Sequence, residues 1–212
     1  MTLGAAPHGM LRISILGACA AALGTGCTGP RGYFPLEVGK TWTYHVRAGL
    51  ASTVDDVRVT RRMAVAGAAG CEVGGPLGLS RIAWRGGTLV ADSLPNTRFD
   101  PPLPLLAPGD PATIREADGA RGRSPRRPAR SWSGRVETMG KTCAGSANLY
   151  QEEASVTLGA RQYPALKATL RLVAGAHKIE LVTWYVDGMG PLRQEQQTNG
   201  LQDVSMEYLG GS

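Results

Sequence analysis

Cys27 stands directly behind an uncharged run, and its type and position specify a chemistry more clearly than those of any other residue. Arg12 opens the run, and Ile13 to Gly26 carry only apolar, small and hydroxyl side chains. A basic start, an apolar stretch of roughly 7–15 residues and small residues before the cut mark an export signal. The stretch is too short to span a bilayer, which takes about 20 apolar residues. Its glycines also disfavour a stable buried helix. A thiol at the end of such a signal is placed for acylation when the signal is removed. Two or three acyl chains, at about 0.8 kcal/mol per buried methylene, hold a soluble domain on a membrane stably. Met1 to Gly9 fit poorly ahead of a signal, which makes Met10 a candidate start.

Two cysteines compete for this role. Leu16-Gly17-Ala18-Cys19 matches by letter a leucine and two small residues before a modified cysteine. Cleavage there leaves only about six apolar residues, below the usual range. Thr25-Gly26-Cys27 has the longer run behind it but carries Leu23 one position too early. Cys27 is the expected lipidation site and Cys19 the runner-up; secretion without a lipid is the alternative. The expected organisation is a signal over 1–26, a short linker over 27–32 and one domain over 33–212. The expected location is the bacterial cell envelope, on a membrane.

The other reactive side chains form no catalytic set. There is no Gly-x-Ser-x-Gly elbow and no His-Glu-x-x-His. Gly74-Gly75-Pro76-Leu77-Gly78 lacks the Lys-Ser/Thr that follows a phosphate-cradling loop. His45 alternates onto the polar face of its segment, and His177 sits in a Gly175-to-Lys178 turn. Asp55-Asp56 and Glu152-Glu153 are adjacent pairs, and neighbours in a strand point to opposite faces. No Cys-x-x-Cys accompanies these histidines, so no metal site is expected. The expectation is a protein that is not an enzyme, with no catalytic residue, metal or cofactor.

The segments that would position a binding site are strands. From Cys27 onward 186 of the 212 residues remain, enough for one domain with its own core. Losing Arg12 takes the net charge from +6 to +5, and 29 Gly with 14 Pro suit many turns. Thr41 to Arg47 alternates cleanly, with Trp42, Tyr44 and Val46 on one face. Val54 to Val65 has the same period. Arg81 to Trp84 and Thr88 to Asp92 flank Arg85-Gly86-Gly87, a hairpin signal. Val136 to Met139 and Leu149 to Leu158 are weaker strands. In Ala165 to Val173, Leu166, Ala168, Leu170 and Leu172 alternate with Lys167, Thr169 and Arg171. Lys178 to Val186, Leu192 to Gln197 and Leu201 to Leu209 complete the series, the last two joined through Asn199-Gly200. The fold class expected is all-β, an antiparallel meander forming a curved open sheet or half-barrel.

Asn96 to Arg130 interrupts that order, and its prolines predict a long irregular loop. Ala112 to Ala120 could form a turn or two of helix within it. Arg115, Arg121, Arg123, Arg126, Arg127, Arg130 and Arg135 make it basic. A solvated loop is expected there, with contact to anionic headgroups the alternative. No aromatic interleaving supports nucleic acid as a partner. Cys71 and Cys143 form an even pair that suggests one disulfide in an oxidising compartment, with two buried thiols as the alternative.

Two regions carry a family likeness. Tyr33-Phe34-Pro35-Leu36, Gly39, Trp42 and Tyr44 resemble the opening of a group of bacterial exported proteins and lipoproteins of unknown function. Trp184-Tyr185 through Gly188, Gly190 and Glu195 resembles the C-terminal hairpin of that group, and Tyr163-Pro164-Ala165-Leu166-Lys167 the strand before it. Asp187 and Pro191 depart from the group pattern in a turn. The resemblance implies a lipoprotein-carrier-like curved sheet that cups an apolar ligand. Trp42, Tyr44, Trp84 and Trp184 are the expected lining; because Trp184 and Tyr185 are neighbours, at most one of them faces a cup. The partners expected are a membrane, through the anchor, and a lipid, acyl chain or hydrophobic peptide. An envelope interaction module with a filled core is the alternative.

Overall fold

The computed structural model describes residues 32–109 and 127–212. Every strand in it is antiparallel to its neighbours, as the alternating segments predict. β1 (Thr41–Ala48), β2 (Ala51–Val65), β3 (Ala68–Gly75), β4 (Gly78–Arg85), β5 (Thr88–Leu94) and β6 (Thr97–Leu106) form the first half. β7 (Arg130–Thr138), β8 (Lys141–Leu158), β9 (Arg161–Ala174), β10 (His177–Val186), β11 (Gly190–Thr198) and β12 (Leu201–Gly211) form the second. Each strand pairs with the next in sequence. The curvature runs on to closure, because β1 also pairs with β12 from Trp42–Gly211 to Ala48–Val204. Closure removes both free edges. It also lets the inward row Trp42, Tyr44, Val46 continue into Met206 without a wet gap.

Period-two alternation places the core inside. Leu166, Ala168, Leu170 and Leu172 of β9 are buried, while Lys167, Thr169 and Arg171 lie between them on the outer face. The expected hairpins are present: Gly86 and Gly87 have φ of 54° and 77°, and Asn199 and Gly200 have 52° and 84°. Both positions of such tight turns need a positive φ, which Gly and Asn adopt cheaply.

Two strands escape the sequence signals. β3 is small-residue rich, yet Gly70 requires that smallness: a Cβ there would lie 2.6 Å from the Ile82 carbonyl oxygen. β6 is the correction to the expected loop over 96–130. Thr97–Asp100 pair with β7, and Thr97, Arg98, Leu103, Pro104 and Leu106 pair with β5. Pro101 and Pro102 lie past the end of the β7 ladder and within the irregularity of the β5 ladder, where neither partner takes up an N–H.

Where the β6–β7 ladder ends, a side chain replaces it. Fully buried Gln151 of β8 accepts from the Ala107 N–H at 2.5 Å and donates to the Ala107 carbonyl at 2.8 Å. Gln151→Leu is expected to destabilise the fold by about 2–3 kcal/mol, since it strands a buried N–H and C=O together. A urea midpoint measured at unchanged slope checks this.

Candidate functional site

The two ends of the barrel differ. At one end the segment Tyr33–Leu36 enters beneath the strands and closes the interior. The Trp84 indole N–H donates to the Phe34 carbonyl at 3.1 Å, and the Cys71 thiol to the Leu36 carbonyl at 3.4 Å. The Phe34 ring lies 5.3 Å from Trp42 and 6.4 Å from Tyr185, centroid to centroid. Phe34 and Leu36 are both buried, as a plug must be. The Trp42 indole N–H donates to the Met189 carbonyl at 2.6 Å, tying the floor to the β10–β11 turn.

Above Phe34 lies a cavity of about 390 Å³. Leu103, Leu105, Leu170, Leu172, Tyr185 and Met206 form much of its wall. It reaches the opposite end at the turns Gly75–Gly78 and Leu94–Thr97, with Gln194 and Gln196 among its few polar groups. Among the described residues no charged side chain lines it. Tyr44 also borders it, and its hydroxyl donates to the Pro191 carbonyl at 2.5 Å. Burial holds the Tyr44 hydroxyl well above the ordinary tyrosine range, and burial likewise raises Tyr185 against a hydrogen bond with Thr183. Both phenols stay protonated and neutral at physiological pH, so the wall is uncharged as well as apolar. Such a site can hold hydrocarbon and orient a polar tip.

The expected lining residues separate. Tyr44 borders the cavity. Trp42 and Trp84 are buried in the floor rather than in the wall, each spending its N–H on a backbone carbonyl. Trp184 is on the outer face, with Lys167 Nζ 5.7 Å and Arg193 Cζ 5.1 Å from its ring centroid. Its neighbour Tyr185 faces in, as strand alternation requires of one of the two. Much of the wall, including Ile82, Ile179 and Val204, was not singled out as lining by sequence. Branched residues of that kind mark any core, and only curvature decides which of them border a void.

The disulfide expected between Cys71 and Cys143 is not formed. The two residues are on β3 and β8, five strand steps apart around the wall, and Cys143 is half-buried beside Gly175. Cys19, Cys27, the possible helix over 112–120 and Arg115, Arg121, Arg123 and Arg126 lie outside the described residues. Arg127, Arg130 and Arg135 are exposed, and Arg135 reaches Asp100 at 3.5 Å. His45 bonds Ser52 at 2.7 Å on the outer face, and His177 is exposed. Glu72 pairs with Arg61 at 2.8 Å, which holds its carboxyl below the usual range. Among the described residues no three His, Cys, Asp or Glu side chains gather as a metal site would need.

No family model matches the chain, and no curated protein does. Solved structures do. One is a candidate lipoprotein from Parabacteroides distasonis, at 13% identity, covering 86% of this chain and 99% of that one with a TM-score of 0.49. A second is a candidate exported protein with a YmcC-like fold from Bacteroides fragilis, at 11% identity with the same coverage and TM-score. A third is the hypothetical lipoprotein YmcC from Escherichia coli, at 12% identity, covering 82% and 85% with a TM-score of 0.41.

Proposed function

We propose that this chain is an exported, lipid-anchored envelope protein that binds a hydrophobic ligand without chemical change. The observation that carries this is the apolar, uncharged cavity of about 390 Å³, closed by Phe34 at one end and reaching the turns at the other. Ligand pockets occupy roughly 300–1,000 Å³ and are mostly apolar with few polar groups. If a methylene takes about the ~30 Å³ of a water molecule in the liquid, this volume holds about a dozen. That suits one acyl chain rather than a two-chain lipid. Gln194 and Gln196 supply amides for a polar, uncharged tip. Anchoring is the sequence-based part of the proposal, and it rests on Cys27 behind its uncharged run.

Intact mass of the protein taken from its native envelope tests both parts. The expected result is a chain beginning at Cys27 with acyl mass added, and a single-chain lipid released under native conditions. A chain cleaved without acyl mass would remove the anchor, and a ligand-free protein that takes up no fatty acyl probe would remove the binding role.

A further inference from the structure

Eight large apolar side chains stand exposed among the described residues, and they are not scattered. Leu50, Val54, Leu79, Met139, Val173 and Leu201 lie on or close behind the turns at the open end; only Val38 and Leu209 lie toward the closed end. Leu50, Met139 and Leu201 are 107%, 86% and 74% exposed, at or beside the tips of the β1–β2, β7–β8 and β11–β12 turns. The first and last of these turns are neighbours around the rim, where the Gly49 N–H donates to the Asp203 carbonyl at 3.1 Å.

Met139 is held against two preferences at once. Its φ is 49°, in the left-handed region where Gly or Asn is the easy choice, and its thioether side chain is in water. A residue kept at such a position points to a use outside the fold. The six tips Gly49-Leu50, Pro76-Leu77, Pro95-Asn96, Met139-Gly140, Gly175-Ala176 and Asn199-Gly200 carry no charge. Within two residues of a tip stand Arg47, Arg98, Lys141 and Lys178, all exposed, against the single carboxylate of Glu137.

We infer that the open end is a membrane-docking rim, whose apolar tips enter the interface of an anionic bilayer while the basic collar meets its headgroups. Apolar tips backed by Lys and Arg are what an interfacial contact requires. The cavity opens within the same rim, so a docked barrel places its mouth against lipid. Passage of an acyl chain between bilayer and cavity rests on the binding role proposed above; the docking itself does not. The chain enters at the closed end, and the six residues from Cys27 to Tyr33 reach at most about 20 Å. A barrel tethered at Cys27 therefore turns its rim away from the tethering bilayer, and the surface it meets is a second one.

The test uses the chain from residue 27 to residue 212 with Cys27→Ala, so that neither the apolar run over 13–26 nor an acyl group contributes. It is sedimented with vesicles of phosphatidylethanolamine and phosphatidylglycerol, and with phosphatidylcholine alone. The combined rim variant Leu50→Asp, Met139→Asp, Leu201→Asp is expected to bind the anionic vesicles roughly tenfold or more weakly than its parent. The closed-end variant Val38→Asp, Leu209→Asp is expected to match the parent, and added salt to weaken parent binding. Equal binding by the rim variant overturns the inference, as does an equal loss in the closed-end variant. A parent that self-associates through the rim, and loses this with the same substitutions while vesicle binding is unchanged, overturns it too. Uptake of a fluorescent fatty acyl probe is read in parallel. A rim variant that takes up probe but ignores vesicles supports docking and leaves the cavity role intact. A parent that binds vesicles but no probe supports docking while removing the cavity role.

Discussion

Trp42→Ala is expected to destabilise the barrel by about 3–5 kcal/mol, the range for truncating a buried large aromatic. The indole is fully buried, packs on Phe34 and donates to the Met189 carbonyl at 2.6 Å. Removing it opens a void in the floor, frees the Phe34 plug on one side and leaves a carbonyl near the β10–β11 turn unpaired. Gly190 has no side chain to fill the space; a Cβ there would lie 2.7 Å from the Trp42 ring nitrogen. Trp42→Phe keeps most of the bulk and loses the donor, so its expected loss is smaller, about 1–3 kcal/mol. Domains of this kind have about 5–15 kcal/mol in total, so the alanine variant takes a large share. Urea denaturation reads both variants. A loss below about 1 kcal/mol for alanine would mean that the floor is not integral to the fold.

The second large effect is on binding alone. Leu181 lines the cavity and is half-buried, so its side chain already borders open space. Leu181→Trp is expected to fill part of the cavity and weaken acyl-probe binding by about tenfold or more, in keeping with the apolar contact that is displaced. Overpacking destabilises when there is no room, typically by about 1–3 kcal/mol. Here the void supplies room, so the urea midpoint is expected to stay close to that of the parent. Probe titration with the parent and the variant checks this. Unchanged affinity in a folded variant would place the probe elsewhere.

The strands were legible because a barrel wall has one wet and one dry face. Trp42, Tyr44 and Val46 against His45 and Arg47, and Leu166 to Leu172 against Lys167 to Arg171, write that asymmetry into the chain. Gly86-Gly87 and Asn199-Gly200 mark their turns because left-handed backbone favours those residues. β3 and β6 were not legible. Gly70 is small because of the Ile82 backbone beside it, a neighbour that sequence does not name. Pro101 and Pro102 are tolerated in β6 because they lie past the end of its ladder with β7 and within the irregularity of its ladder with β5.

The candidate site was legible only in part. Tyr44 and the choice between Trp184 and Tyr185 follow from alternation, and Tyr185 takes the inward position. Trp84 goes to the floor because Tyr33–Leu36 crosses the end of the barrel and offers it the Phe34 carbonyl, and Trp42 because it packs on the Phe34 ring and reaches the Met189 carbonyl at the β10–β11 turn. A local pattern can show that a residue is inward, but not how far along the barrel it lies.

By itself the sequence determined the all-β meander, most strand faces and the tight turns, because these depend on spacing between near neighbours and on the φ each residue tolerates. Tertiary structure alone decided that β1 meets β12, that Phe34 closes one end, that a void remains above it and that exposed apolar residues gather around the other end. Each of these depends on pairing or curvature between segments far apart in the chain. Strand periodicity carries no information about which distant edge a strand will find.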